Sequence, residues 1–188
     1  MSNIKELSMP EIIKCKRINL ITRTHLYDKQ MALLLNKNRS FLKQYLRWLD
    51  KNKTLQDTIN TTTNMMQKWT EKQQFNYLIT DKKNNVIGAI GVANINNLDS
   101  HVELGYWLCE DKTGLGFMSE AIRKIEKVLF SKKIRRIEIE CAITNVASNS
   151  VAKRCGFEKE CIKKEYFNLN GKFEDAVVYI KMNPNRKN

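Results

Sequence analysis

Two glycines separated by one residue mark the clearest candidate binding site in this sequence. Gly114 and Gly116 follow an apolar segment that is typical of a strand, and a segment with helical spacing begins directly after them. Glycine allows positive φ and lets the backbone approach a ligand closely, and the free amides at a helix N-terminus favour phosphate. The pattern therefore indicates a phosphate-binding turn, and its alternative is a tight strand-to-helix turn without a ligand. A dinucleotide fingerprint and a P-loop are both excluded, because neither the third glycine nor a following Gly-Lys-Ser/Thr is present.

A second chemical signal follows the alternating segment 137–141, which is typical of a half-buried strand. Asn145 lies just after that segment, where its amide group can bond a neighbouring strand or an extended ligand. Ser148 begins the next helix with its hydroxyl exposed. The alternative reading of Ser148 is a helix-start residue whose hydroxyl only satisfies backbone amides.

The elements that must position these residues predict a mixed sheet. Their order is strand, helices, three strands, helix, strand, helix and two strands, which predicts an α+β (mixed α/β) fold of seven strands with helices on the faces of the sheet. The strands are predicted over residues 17–21, 75–80, 86–95, 102–109 and 137–141, with two more flanking the turn Asn170-Gly171. The helices are predicted over residues 26–48 (one long or two short), 54–72 with Thr54 as N-cap, the segment after Gly116, and 147–155.

Composition is that of one globular domain of 188 residues, with 42% hydrophobic and 28% charged residues. Lys and Arg exceed Asp and Glu by 33 − 20 = 13. This excess favours an anionic partner, and its alternative is a compositional bias without function. The basic residues are scattered and form no long run, which argues against a DNA-binding arm. We expect a domain over residues 1–182 and a basic C-terminal tail over residues 183–188.

The five cysteines form no Cys-x-x-Cys pair, and His25 and His101 lie far apart in the sequence. We therefore expect no metal site and reduced, mostly buried thiols. No apolar run is long enough to span a membrane, and the first residues lack the apolar core of a secretion signal. The sequence thus predicts a cytoplasmic protein.

Several segments together resemble the GNAT N-acetyltransferases, and within them the ribosomal-protein-serine acetyltransferase (RimJ/RimL) branch. The resemblance covers nearly the whole chain. It is carried by Glu103-Leu104-Gly105-Tyr106-Trp107-Leu108, Thr113-Gly114-Leu115-Gly116-Phe117-Met118-Ser119-Glu120-Ala121, Asn145-Val146-Ala147-Ser148-Asn149-Ser150-Val151-Ala152, Gly156-Phe157, Leu169-Asn170-Gly171-Lys172-Phe173 and Val177-Val178-Tyr179. Residues 36–42 and Trp48 also resemble that branch.

The resemblance implies a GNAT fold with a splayed, mostly antiparallel sheet, and acetyl-CoA as the acetyl donor. It also implies a set of cofactor-binding residues. The pantetheine arm would be bound by Asn145 and by the strand backbone at Tyr106, Trp107 and Leu108. The pyrophosphate would be bound by the amides of Leu115, Gly116, Phe117 and Met118, with Gly114 allowing close approach. One departure is Asp111, where the family usually carries Arg or Gln, so we expect no phosphate contact there.

The resemblance further implies that Ser148 protonates the leaving thiolate. The base that receives the amine proton is less clear, because Phe167 stands where the branch carries a glutamate. Two carboxylates are candidates: Glu165, two residues earlier and so expected on the same side of a strand, and Glu103 at the start of the splayed strand. Glu120, in the first turn of the cofactor helix, is expected only to complement the helix dipole.

Three functions are consistent with the sequence. The first is acetylation of a primary amine at a protein N-terminus, with an acidic ribosomal protein as a suitable partner for the basic surface. The second is acetylation of a small amine such as a polyamine or an aminoglycoside. The third is a non-catalytic acetyl-CoA-binding regulator. The branch commonly pairs protomers, so a homodimer is compatible with the resemblance.

Overall fold

The computed structural model describes residues 6–185 and contains one eight-stranded sheet with five α-helices in that part of the chain. The strands are β1 Ile12–Lys14, β2 Ile18–Thr22, β3 Phe75–Asp81, β4 Val86–Asn96, β5 His101–Leu108, β6 Arg136–Ala142, β7 Glu158–Leu169 and β8 Lys172–Met182. The helices are α1 Asp28–Lys37, α2 Arg39–Leu42, α3 Leu55–Thr70, α4 Phe117–Ser131 and α5 Val146–Arg154.

The mixed α/β fold predicted from the sequence is confirmed, but the count of seven strands was one too low. The additional strand is β1, which has three residues and pairs with β2 through Ile12 opposite Ile21. A three-residue segment is too short to show the alternation by which strands are recognised. Its strand conformation is therefore set by its neighbour in the sheet.

The helical segment expected over residues 26–48 is broken at Asn38, which separates α1 from α2. The Asn38 amide donates to the Leu34 carbonyl at 2.9 Å, and its side-chain oxygen accepts a hydrogen bond from the backbone of Glu110. The chain then makes a 3-10 turn at Arg47–Lys51 before α3 begins. Thr54 caps α3 as predicted, in a capping box with Asp57.

The sheet has the order β1-β2-β3-β4-β5-β6-β8-β7, and β5 with β6 is the one parallel pair among the described strands. This pair is hydrogen-bonded only at its beginning, where the last registered partners are Glu103 and Glu138. Beyond that point β5 continues to Leu108 and β6 to Ala142, and the two strands no longer pair with each other. The two strands therefore diverge and open a wedge in the middle of the sheet.

Both faces of the sheet are covered by apolar side chains from helices, which confirms the predicted layers. On one face, α4 contributes fully buried residues such as Ile122 and Ile125 to the larger core. On the other face, α1 contributes Met31 and Leu35 to a smaller core that Trp107 also contacts. The wedge between β5 and β6 is lined by residues 45–48 and by the start of α5.

Asn183, the first residue of the expected C-terminal tail, is buried. Its side-chain amide donates to the Ile134 carbonyl at 2.9 Å, which holds the chain end against the turn after α4. Residues 186–188 of the expected tail lie outside the described residues, as do residues 1–5. No helix in the described part of the chain is long and apolar enough to cross a membrane.

Candidate active site

The glycine turn adopts the backbone conformation that its sequence predicted. Gly114 has φ +73° and Gly116 has φ +79°, and Gly116 is the N-cap of α4. These are left-handed values that a residue with a Cβ rarely adopts. No protein atom lies within 4 Å of a Cβ built on Gly114, so the inner surface of the turn is open.

The start of α4 has the properties of an anion site. The backbone amides of its first turn have no intrahelical acceptors and carry the positive end of the helix dipole. The Ser119 hydroxyl is buried and has no hydrogen-bond partner among the described residues. An unpartnered buried hydroxyl beside free amides is what a phosphate-bearing ligand would satisfy, so these residues fit the phosphate end of acetyl-CoA.

The acid at position 111 does not leave a free negative charge at the turn. Asp111 accepts a hydrogen bond from the Lys112 ammonium at 2.8 Å and is mostly exposed. The bond to Lys112 and a further one from Cys109 lower the pKa of the Asp111 carboxyl. Its charge is therefore offset locally by Lys112, within a turn that ends before the glycines.

The diverging strand β5 presents an unpaired backbone edge. Its other edge is bonded to β4, where Tyr106 lies opposite Ile90 and Trp107 opposite Ala89. Beyond Glu103 no strand among the described residues pairs with the edge that faces β6. Backbone groups alternate between the two edges of a strand, and Cys109 donates to the Ile87 carbonyl of β4, so the backbone of Trp107 also faces β4. The backbone groups of Tyr106 and Leu108 face the unpaired edge and are available to an extended ligand, whereas those of Trp107, expected there from the resemblance, are not.

Ser148 lies in the first turn of α5 and is held there by two contacts. Its backbone amide donates to the Asn145 side-chain oxygen at 3.0 Å, so Asn145 is the N-cap of this helix. Its hydroxyl forms a hydrogen bond of 3.0 Å with the Tyr106 hydroxyl. Burial, with smaller contributions from its neighbours, raises the pKa of Tyr106 far above its ordinary range, so this phenol is protonated at neutral pH.

Two clefts meet at Ser148. A cleft of about 700 Å³ runs from the glycine turn along residues 106–108 to the start of α5. A second cleft of about 450 Å³ lies across the opening between β5 and β6. Both are lined by Tyr45, Leu46, Tyr106, Asn145 and Ser148. The junction is thus the place where two bound molecules would come into contact.

Glu103 is the sequence-predicted carboxylate that the structure brings to the second cleft. It is half-buried and accepts a hydrogen bond from the Asn94 amide. Burial raises the pKa of the Glu103 carboxyl, and the nearby charges of Glu140 and Glu138 raise it further. A carboxylate with a raised pKa is a stronger base near neutral pH than an ordinary glutamate.

Glu165 is exposed and lines neither cleft. It lies in a bulge of β7, where the register with β8 shifts between Lys163 and Phe167, and its φ is +46°. The bulge breaks the two-residue alternation that would have placed Glu165 on the same side of the strand as Phe167. Phe167 does line the second cleft.

Two further charged residues line the second cleft, and the sequence did not single them out. Glu140 lies on β6 and forms an ion pair with Lys163, which offsets its charge. Arg47 stacks over the Phe167 ring, with its guanidinium carbon 5.3 Å from the ring centre.

The Tyr106 side chain was also missed by the sequence analysis, because the resemblance assigned that residue only a backbone contact. One signal in the sequence was available: side chains two residues apart on a strand lie on the same face, so Tyr106 shares the face of the apolar residue Leu104, which is the side where α5 packs.

Four of the five cysteines are buried, all five are free, and Cys161 is exposed. Within residues 6–185, no group of three or more His, Cys, Asp or Glu side chains is arranged to hold a metal ion.

Comparison with known proteins identifies the family. Residues 19–158 match the family model described as an acetyltransferase (GNAT) domain. The chain is 31% identical to the ribosomal-protein-serine acetyltransferase of Escherichia coli (strain K12), over 93% of this chain and 98% of that protein. The chain therefore belongs to the GNAT acetyltransferase family.

Two solved structures of known acetyltransferases have the same fold. One is RimL, a ribosomal L7/L12 α-N-protein acetyltransferase in complex with coenzyme A, with TM-score 0.88, 27% identity, and coverage of 92% of this chain and 98% of that chain. Another is the microcin C7 self-immunity acetyltransferase MccE in complex with acetyl-CoA and AMP, with TM-score 0.88, 25% identity, and coverage of 93% and 97%. The predicted RimJ/RimL resemblance is confirmed, and this protein is an acetyl-CoA-dependent N-acetyltransferase.

Proposed function

We propose that this enzyme acetylates the N-terminal amine of another protein, with a ribosomal protein as the first candidate, by direct attack in a ternary complex. The observation that carries the proposal is the junction of the two clefts at Ser148. One cleft fits a long ligand with a phosphate end, and the other is open to solvent and large enough for the first residues of a peptide. The proteins named as similar above include enzymes that modify ribosomal-protein N-termini.

Acetyl-CoA supplies a thioester carbonyl, and we assign its binding to the residues of the larger cleft. The amides of Leu115, Gly116, Phe117 and Met118 bind the pyrophosphate, with Gly114 leaving room for it. The β5 edge at Tyr106 and Leu108 bonds the pantetheine arm, and Asn145 contacts the same arm while it caps α5. The backbone amide of Leu108, on the unpaired edge, stabilises the oxyanion of the transition state.

Glu103 and Ser148 then handle the two protons. Glu103 takes a proton from the acceptor ammonium, directly or through a water molecule, so that the amine can attack. The bond between nitrogen and the acetyl carbon forms, the carbon–sulfur bond breaks, and the Ser148 hydroxyl gives its proton to the leaving thiolate. The second proton of the attacking nitrogen returns to the Ser148 oxygen through water, which leaves a neutral amide, coenzyme A and a regenerated hydroxyl. The Tyr106 phenol, 3.0 Å from the Ser148 hydroxyl, stabilises the serine oxygen while its proton is displaced. Glu103 is preferred to Glu165 because it lines the acceptor cleft and Glu165 does not.

The acceptor that suits this surface is acidic. The chain carries a net charge of +13, and Arg47 at the acceptor cleft has no carboxylate partner among the described residues. A positive surface speeds the encounter with an acidic partner, and this acceleration falls as the salt concentration rises.

We place the enzyme in the cytoplasm, where its five free thiols remain reduced. A homodimer is a separate expectation, which light scattering on the purified protein tests.

The experiment is to follow release of coenzyme A with a thiol reagent against a panel of acceptors. The panel contains an acidic peptide that begins with serine, the same peptide with its N-terminus already acetylated, spermidine and an aminoglycoside. Release with the free peptide alone supports the proposal. Release with spermidine or the aminoglycoside alone overturns it in favour of a small-amine acetyltransferase. If the protein binds acetyl-CoA but acetylates neither the panel nor ribosomal proteins, the proposal fails in favour of a non-catalytic regulator.

A further inference from the structure

Arg17, in the turn between β1 and β2, contacts the glycine turn from outside both the motif and its helix. The Arg17 backbone amide donates to one oxygen of Glu120 at 2.8 Å, and its Nε donates to the other oxygen at 2.8 Å. Its Nη1 donates to the Leu115 carbonyl, also at 2.8 Å. The guanidinium carbon lies 4.8 Å from the centre of the Phe117 ring. One side chain thus holds three residues of the turn and of the first turn of α4.

The remaining amino group of Arg17 is next to the second glycine. Its Nη2 lies 3.4 Å from the position of a Cβ built on Gly116 and has no hydrogen-bond partner among the described residues. The Arg17 side chain is about half exposed. A positive charge with an unused donor is therefore held beside the turn to which the pyrophosphate is assigned.

The arrangement has the geometry that only arginine provides. The planar fork bonds a carboxylate with one nitrogen and a carbonyl with another, while its flat face stacks on an aromatic ring. A lysine can retain the ion pair with Glu120, but its single ammonium cannot make all these contacts in that plane. The response to Arg17→Lys therefore separates the contribution of geometry from that of charge.

The contacts with Arg17 also offset the energetic cost of burying the Glu120 carboxylate. Burial alone would raise the pKa of the Glu120 carboxyl, but the hydrogen bonds and charge of Arg17 outweigh it, and the pKa is lowered. Glu120 is thus ionised and fixed, and it orients Arg17 rather than opposing a bound phosphate. This role goes beyond the dipole complement that the sequence suggested for Glu120.

We propose that Arg17 is a positioning residue of the acetyl-CoA site: it fixes the shape of the turn at residues 115–117 and presents a positive charge to the pyrophosphate. The N-terminal strand pair would then contribute to donor binding, although it lies about 100 residues before the turn that it supports. This inference rests on the proposed assignment of the pyrophosphate to that turn.

The test compares two acetyl donors, acetyl-CoA and S-acetylpantetheine, which lacks the pyrophosphate and nucleotide. Arg17→Ala is expected to raise the KM for acetyl-CoA about tenfold with kcat changed less than twofold, and to leave kcat/KM for S-acetylpantetheine nearly unchanged. Arg17→Lys is expected to lie between the wild type and Arg17→Ala. Lys127→Ala, which removes an exposed cation from α4, serves as the matched control and should leave both donors unaffected.

A purely structural role would give a different result. If Arg17 only stabilised the fold, Arg17→Ala would lower kcat/KM for both donors by the same factor, and the inference would be overturned. Equal KM values for Arg17→Lys and the wild type would also overturn it, because the planar fork would then contribute nothing. Calorimetric binding of coenzyme A, which needs no acceptor, must show the same loss as the KM.

A failure of the underlying assignment can be distinguished from a failure of this inference. If the turn does not bind the pyrophosphate, the wild type itself will not prefer acetyl-CoA to S-acetylpantetheine. If the wild type shows that preference and Arg17→Ala retains it in full, the assignment of the turn stands and the role of Arg17 is refuted.

Discussion

The two clefts that meet at Ser148 are built in different ways. The larger cleft, which we propose binds the acetyl donor and call the donor cleft, relies on backbone: two glycines with positive φ, the first amides of α4 and the unpaired edge of β5. The acceptor cleft relies on charged side chains from distant elements, namely Arg47, Glu103 and Glu140. A site made of backbone leaves a local sequence pattern, whereas a site made of side chains from three separate segments does not. The glycine turn of the larger cleft was therefore visible in the sequence, whereas Arg47 and Glu140 of the second cleft were not.

The substitution Gly116→Val tests most directly whether the donor cleft depends on the backbone conformation of the glycine turn. A β-branched residue at φ +79° is strained, and its side chain would meet the Arg17 guanidinium, whose Nη2 is 3.4 Å from the new Cβ. We expect affinity for coenzyme A, measured by calorimetry, to fall about 100-fold or more, which is about 2.7 kcal/mol of binding free energy.

Gly171→Val is the control for that experiment, because Gly171 has φ +87° with no atom within 4 Å of its Cβ and lies in the hairpin of β7 and β8. It imposes a similar backbone strain away from the donor cleft and should preserve the affinity. Full affinity in Gly116→Val would mean that the turn is only a structural connection.

Ser148→Ala is expected to lower kcat about 100-fold, with affinity for acetyl-CoA changed less than twofold. Loss of a positioned general acid typically costs a factor of this size, and the helix cap from Asn145 uses the Ser148 backbone, which the substitution keeps. Steady-state kinetics with the acidic peptide measures the effect. Ser131→Ala, at the exposed end of α4, is the matched control. Unchanged turnover in Ser148→Ala would return this serine to a structural role.

Glu103→Gln is expected to lower kcat/KM about tenfold at neutral pH and to change the pH profile. The base is active when ionised, and the pKa of Glu103 is raised by burial and by its acidic neighbours. As the pH is lowered, the wild-type rate should therefore begin to fall at a higher pH than it would if the base were an ordinary glutamate. Glu103→Gln should no longer show this fall, which is the acidic limb of the pH–rate profile.

Glu165→Gln in the same assay decides between the two carboxylates. An acidic limb that survives in Glu103→Gln but disappears in Glu165→Gln would mean that the bulge of β7 moves when the acceptor binds, and would transfer the role of base to Glu165. Glu158→Gln, on the exposed start of β7, controls for the loss of one surface charge.

Tyr106→Phe is expected to give the smallest effect, a three- to tenfold loss of kcat with little change in KM. It removes the hydroxyl that is bonded to Ser148 but keeps the ring and the backbone edge. In a Ser148→Ala background the same substitution should have almost no further effect, because the two hydroxyls act as one unit. Additive losses in the double variant would show that the phenol acts independently of Ser148.

The fold was largely predictable because its elements carry strong local patterns. The helix after Gly116 and the N-cap at Thr54 were both correctly located by local rules. Local rules failed where strand pairing decides, since β1 is a strand only because β2 is its neighbour. They left open whether residues 26–48 form one long helix or two short ones, and the structure has two, separated at Asn38, whose side chain bonds across to Glu110. Sequence patterns report preferences within about one turn or one strand, so contacts between distant segments lie beyond them.

The sequence by itself determined the family, the glycine turn and the position of Ser148, because each depends on a short run of residues with a required local conformation. The tertiary structure decided which carboxylate reaches the acceptor cleft, since the bulge of β7 leaves Glu165 exposed while the divergence of β5 from β6 opens the cleft at Glu103. It also placed Arg17 on the glycine turn and the Tyr106 hydroxyl on Ser148. These contacts join residues 42 to 103 positions apart, and only the folded sheet fixes such distances.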